Sequence, residues 1–141
     1  RVLFRSGVRI LIGFAALTLA KYQKYIEVKM SHSSEHYMRV YMKVRKGSKA
    51  TDESLKNIGY IAHCKECLHR EEIGGLAGNV PEYCPVCGKE LKGIGPLWLG
   101  PVQNKEFIES MIEISDEKDL NTKKEVLKLL NLCRLLYFEH E

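Results

Sequence analysis

The most constraining stretch is a pair of thiol knuckles: Cys64-Lys-Glu-Cys67, sixteen residues, then Cys84-Pro-Val-Cys87-Gly88. A Cys-x-x-Cys turn brings two sulfurs to one point, and two such turns complete a tetrahedron of soft ligands. The spacing therefore reads as a four-thiolate zinc site with Cys64, Cys67, Cys84 and Cys87 as ligands. Pro85 stiffens the second turn. Gly88 permits the positive φ that usually follows the second thiol. Two disulfides and an iron centre are the competing readings, since ligand softness alone does not exclude iron. His63 and His69 flank the first knuckle and could replace a thiol, but four thiols already saturate zinc. Such a closed site is structural rather than catalytic. It explains how the region folds, not what the protein does.

At 141 residues and 45% hydrophobic content, the chain can bury a sizeable core. Four of its five cysteines are in metal spacing, which fits a reducing, cytoplasmic setting better than a secreted disulfide framework. The net charge of +4 hides an asymmetry. Residues 1–50 carry 11 Lys/Arg against 2 Asp/Glu, and residues 51–141 carry 11 against 16. A basic half joined to an acidic half suggests two units, the first facing a polyanion, with lysines that merely solvate a surface as the alternative.

Residues 1–6 resemble the translation of a sequencing adapter and are set aside as a non-native scar. Residues 8–24 then read as a buried helix. The apolar run Ile10–Ala20 is too short to span a bilayer, so no membrane association is expected. Strict alternation follows. Ile26, Val28 and Met30 share one face of a strand; Met38, Val40, Met42 and Val44 share one face of the next. Strands this close form an antiparallel hairpin. The other face of the second strand interleaves Tyr37 and Tyr41 with Arg39, Lys43 and Arg45. That pattern suits RNA as well as an ordinary solvated sheet face. His32 and His36 have i, i+4 spacing, but in a hairpin loop rather than a helix, which argues against a metal pair. Gly47–Asn57 reads as a polar linker with about one helical turn, and places a domain boundary near residue 50. Gly59–Ala62 leads as a strand into the first knuckle, and Gly74-Gly75 and Gly78-Asn79 mark turns, the layout of a zinc ribbon. Gly93–Pro101 looks too rich in Gly and Pro for a regular element, with Trp98 anchoring it on the core. Asn104 caps a helix to about Ile114, with Phe107, Ile108, Met111 and Ile112 inward. Thr122-x-x-Glu125 is a capping box that opens a last helix through Phe138. That helix is very apolar and carries Cys133 as a core residue. It wants partners on more than one side, so a C-terminal truncation is expected.

No catalytic constellation is visible in these residues. Several linked segments nevertheless carry a resemblance: Gly7-Val-Arg-Ile-Leu-Ile-Gly-Phe-Ala-Ala-Leu17 with Lys21-Tyr22, the run Ser31–Gly47, Gly59-Tyr60-Ile61, both knuckles, and Gly95-Pro-Leu-Trp98 with Gly100. In this order they resemble the tRNA (guanine-N2)-dimethyltransferase family, in archaeal wording, over residues 7 to about 138. The resemblance implies an enzyme that moves methyl groups from S-adenosylmethionine to N2 of guanosine 26 in tRNA. It also implies an α/β fold. Residues 7–50 would be the end of a Rossmann-like methyltransferase domain, contributing a helix and an antiparallel hairpin. Residues 51–141 would be an α+β, zinc-ribbon-containing domain that helps hold tRNA. The family's methyl-donor and catalytic motifs lie upstream of Gly7, so the resemblance places no catalytic or cofactor residue in this chain. S-adenosylmethionine would be bound by that upstream part, and no obligate protein partner is implied. A stand-alone zinc-ribbon RNA-binding or scaffolding module is the competing reading.

Overall fold

The computed structural model describes residues 2–33 and 36–138, with side chains over 6–33 and 36–135. Its elements, in chain order, are α1 (Val2–Ala20), β1 (Lys24–Ser33), β2 (Met38–Lys46), α2 (Ser48–Leu55), β3 (Ile58–Cys64), β4 (Arg70–Gly74), β5 (Leu91–Trp98), α3 (Lys105–Glu117) and α4 (Lys123–Phe138). Packing divides the chain into two compact units, Arg1–Ile26 with Val44–Gly100, and Glu27–Lys43 with Pro101–Glu141. This division differs from the split near residue 50 that charge suggests, because α1 packs with the cysteine-bearing sheet.

In the first unit, β3 is the centre of a three-stranded antiparallel sheet ordered β4-β3-β5. Helix α1 lies on β5 through Val8, Ile12 and Ala16, which are buried at the four-residue spacing of one helix face. The approach is close: a Cβ on Gly13 would stand 2.9 Å from the Leu97 Cα. The buried Arg9 side chain closes the contact, donating to the Trp98 carbonyl at 2.8 Å and the Gly100 carbonyl at 2.9 Å. The opposite side of α1 exposes Ile10, Leu11 and Phe14, so the helix is buried on one face rather than all round. Residues Val2–Ser6, set aside in the sequence reading, form its first turns, and Ser6 is buried.

Two sequence expectations are corrected here. The polar stretch after Gly47 is not a linker but the eight-residue helix α2, packed against α1. Its anchor is Thr51, buried, whose hydroxyl donates to the Gly47 carbonyl at 2.7 Å; one inward side chain leaves no periodic signal. Gly93–Trp98, expected to be irregular, lies in strand β5. It pairs with β3 from Ile58↔Trp98 to Cys64↔Leu91, with a register shift between Gly59 and Ile61. Propensity argues against this strand, but space requires its glycines: a Cβ at Gly93 would lie 2.7 Å from Val80 Cγ2. Pro96 is tolerated because β5 is an edge strand. Trp98 is buried on the core, as read, with Gly100 against its indole.

The second unit packs α3 and α4 on part of β1. Met30, Ile108, Leu130 and Cys133 form its buried centre, with Phe107, Met111, Ile112, Val126 and Leu129 around it. Asn104 caps α3 as expected, its side chain accepting from the Phe107 amide at 2.9 Å. Gln103 clamps the Ser31 backbone, accepting from its amide at 3.0 Å and donating to its carbonyl at 2.6 Å. Cys133 is a core thiol whose sulfur donates to the same carbonyl at 3.6 Å. Strands β1 and β2 form the expected two-stranded sheet. Only residues 34–37 join them, and the Gly47 amide donates to the Gln23 carbonyl at its open end, so the pairing is an antiparallel hairpin.

Candidate metal centre and hairpin face

The two knuckles are built alike. Cys64 ends β3 and its amide donates to the His69 carbonyl at 2.9 Å; the Cys84 amide donates to the Lys89 carbonyl at 2.7 Å. The residue after each second thiol turns left-handed, Leu68 at φ 62° and Gly88 at φ 70°. Glycine does this freely, whereas Leu68 adopts a conformation that opposes its own Cβ. A small core of Ala62, Cys64, Cys84 and Leu91, with Ile73 and Val80, holds the knuckles against the sheet.

The four sulfurs converge within 4.8 Å of one another. Cys64 and Cys87 approach to 3.5 Å, as do Cys67 and Cys84. These separations exclude disulfides, which need about 2.05 Å, and all four cysteines are free thiols. A tetrahedron with metal–sulfur bonds of about 2.3 Å has edges of about 3.8 Å, within the observed range. The thiols respond unevenly to their surroundings. The Cys67 amide, with help from that of Glu66, brings the Cys64 thiol down to about 7. At Cys67 the His69 amide acts in the same sense, but burial and the three neighbouring thiols outweigh it and push that thiol up to about 12. Four sulfurs around one point resist ionising together, and a divalent cation would relieve them. Among the described residues, the buried His63 Nδ1 and His69 Nε2 have no hydrogen-bond partner, and neither belongs to the converging set.

Arg39, Lys43 and Arg45 occupy alternate positions of β2, and all three are exposed. Arg39 lies over the Tyr37 ring, 5.0 Å from its centroid, and donates to the Tyr41 hydroxyl at 3.4 Å. The sequence reading missed His32, which belongs to this face. Its ring stacks on Tyr41 at 6.0 Å and 26°, and meets Tyr37 edge-on at 5.9 Å and 78°. His32 is buried, and burial, followed by the neighbouring Arg39 charge, lowers its pKa from the ordinary histidine value. Only the cross-strand pairing brings it there. Its partner in sequence spacing, His36, is exposed.

Fold and site together define a mixed α/β protein with four converging thiols and a cation–aromatic hairpin. The chain belongs to the N2,N2-dimethylguanosine tRNA methyltransferase family, whose model matches residues 1–136. It is 64% identical to the tRNA (guanine(26)-N(2))-dimethyltransferase of Methanobrevibacter smithii over 92% of this chain and 34% of that protein. The enzyme of the same name from Methanothermobacter thermautotrophicus is 50% identical over 91% of this chain and 33% of its own length. The chain thus spans about a third of the length of the curated relatives it matches. Among solved structures, it is similar to Trm1 from Pyrococcus horikoshii in complex with S-adenosyl-L-methionine. That match has a TM-score of 0.79 and 30% identity, covering 91% of this chain and 32% of the other.

Proposed function

We propose that this chain is a C-terminal part of an enzyme that transfers methyl groups from S-adenosylmethionine to N2 of guanosine 26 in tRNA. The observation that carries this reading is the family match across residues 1–136. In it, the chain supplies closing elements of a Rossmann-like catalytic domain together with a zinc-binding, tRNA-associated part, and α1 packs with the cysteine-bearing sheet. The donor pocket and the catalytic groups lie in the portion of the relatives that this chain does not span. Guanine N2 is a poor nucleophile because its lone pair is delocalised into the ring. The reaction therefore depends on holding the base against the methyl sulfonium beside a proton acceptor, and on fixing the tRNA so that it stays there.

This chain contributes to the second requirement. Arg39, Lys43 and Arg45 present cations from one strand, and such contacts bind phosphates and release counterions. Cys64, Cys67, Cys84 and Cys87 would hold zinc, which supplies a structural cross-link between the two knuckles. The geometry that supports it is the convergence of four free thiols.

The test is incorporation of labelled methyl groups into tRNA transcripts by the protein translated from the whole gene. Incorporation with guanosine 26, and its loss when that nucleotide is adenosine, is expected. The triple change Arg39→Ala, Lys43→Ala, Arg45→Ala should weaken tRNA binding and flatten its salt dependence, while methyl-donor affinity stays unchanged. RNA binding without any methyl transfer would favour a stand-alone RNA-binding module instead.

A further inference from the structure

We propose that the tip of the β1–β2 hairpin is a stacking site for an unpaired nucleobase of RNA, formed by Tyr37, Arg39 and Tyr41 and backed by His32. The proposal deepens the RNA-binding reading above and rests on it, but it concerns bases rather than phosphates.

The four side chains hold one another. His32, only 6% exposed on the neighbouring strand, touches both tyrosine rings, one face-on and one edge-on. Arg39 lies across Tyr37 and is tied to the Tyr41 hydroxyl. Ring orientation is therefore largely set before any ligand arrives, so little side-chain entropy remains to be lost on binding. Yet Tyr37 and Tyr41 remain 49% and 40% exposed. Among the described residues, the guanidinium of Arg39 pairs with these two rings. Together with the open parts of the two rings, which are steeply inclined to each other because His32 stacks on one and meets the other edge-on, it forms a cationic, aromatic surface.

The chemistry of that surface selects the ligand. Every nucleobase has a π face that stacks on tyrosine or on a guanidinium plane, with little dependence on sequence. Lys43, exposed two residues beyond Tyr41 on the same strand, is placed to meet the attached phosphate. A paired base already spends both faces inside its helix, so the ligand is a base in a loop or one turned out of a stack. The lowered pKa of His32 agrees with this arrangement, since a neutral ring can sit behind Tyr41 beside the permanent charge of Arg39.

The experiment compares two RNAs with the same number of phosphates, a stem with a single-stranded loop and a blunt duplex, by fluorescence anisotropy with the full chain. The wild type should prefer the looped RNA by about tenfold, as expected for one well-stacked base. Changing Tyr37→Leu with Tyr41→Leu keeps apolar bulk and strand propensity; it should abolish that preference and leave duplex binding intact. Tyr37→Phe with Tyr41→Phe should retain most of the preference. If the leucine pair keeps the preference, or the phenylalanine pair loses it as fully, stacking is overturned while the RNA-binding reading stands. Equal wild-type affinity for both RNAs overturns stacking as well. If the wild type binds neither RNA, both readings fall together.

Discussion

Leu68 and Gly88 occupy the same place in the two knuckles, directly after the second thiol, and both are left-handed. A Cβ at Gly88 would meet nothing within 4 Å, so Gly88→Ala isolates the backbone cost. It should destabilise the metal-loaded chain by about 1 kcal/mol. Leu68→Gly should act in the opposite direction, by less than about 1 kcal/mol, because glycine also loosens the unfolded chain. Denaturation midpoints of the two variants should bracket the wild type; a shift of both in one direction would rule out this account. Gly88 could be read from sequence because glycine after a Cys-x-x-Cys pair announces its conformation. The matching strain at Leu68 could not, since nothing in a leucine signals positive φ. His32 shows the same limit. The sequence placed it in the hairpin loop, whereas it lies in β1, and only the paired strand supplied the tyrosines around it.

Among the elements, α3 and α4 were the most legible. Their caps and apolar spacing are local signals, and Asn104 and Thr122 lie where the helices begin. Strand β5 was illegible because its glycines answer to neighbours distant in sequence, and its pairing outweighs its propensity. Helix α1 was expected to be a buried helix packed on a sheet. It lies on β5, where its approach depends on Gly13: a Cβ there would fall 2.9 Å from the Leu97 Cα and 3.0 Å from the Trp98 nitrogen. Both are backbone atoms and cannot rotate away. Gly13→Ala should therefore cost about 1–3 kcal/mol through overpacking, despite alanine's better helix propensity of about 1 kcal/mol. A chemical-denaturation midpoint equal to or above that of the wild type would show that the helix can lift off the strand without penalty.

For the whole molecule, the two compact units should respond differently to loss of the proposed zinc. The core beneath the knuckles is small, with Ala62, Cys64, Cys84 and Leu91 at its centre, and half of these are thiols of the cluster. Chelation should expose the amides of Ile58–Cys64 and Leu91–Trp98 to hydrogen exchange, since metal binding and folding are coupled in such a site. The α3–α4 core, built on Met30, Ile108, Leu130 and Cys133, contains none of the four thiols and should keep its protection. Unchanged exchange throughout the sheet would mean that the sulfurs are not cross-linked by metal. The sequence by itself determined the knuckles, the Asn104 cap, the hairpin and the family resemblance, because each rests on residues close together in the chain or on their fixed order. Tertiary structure alone decided that α1 shares a unit with the cysteine sheet, that Gly93–Trp98 is strand, and that His32 joins Tyr37 and Tyr41. Those outcomes depend on which distant backbone fills the space beside a residue, and a single sequence carries no term for that.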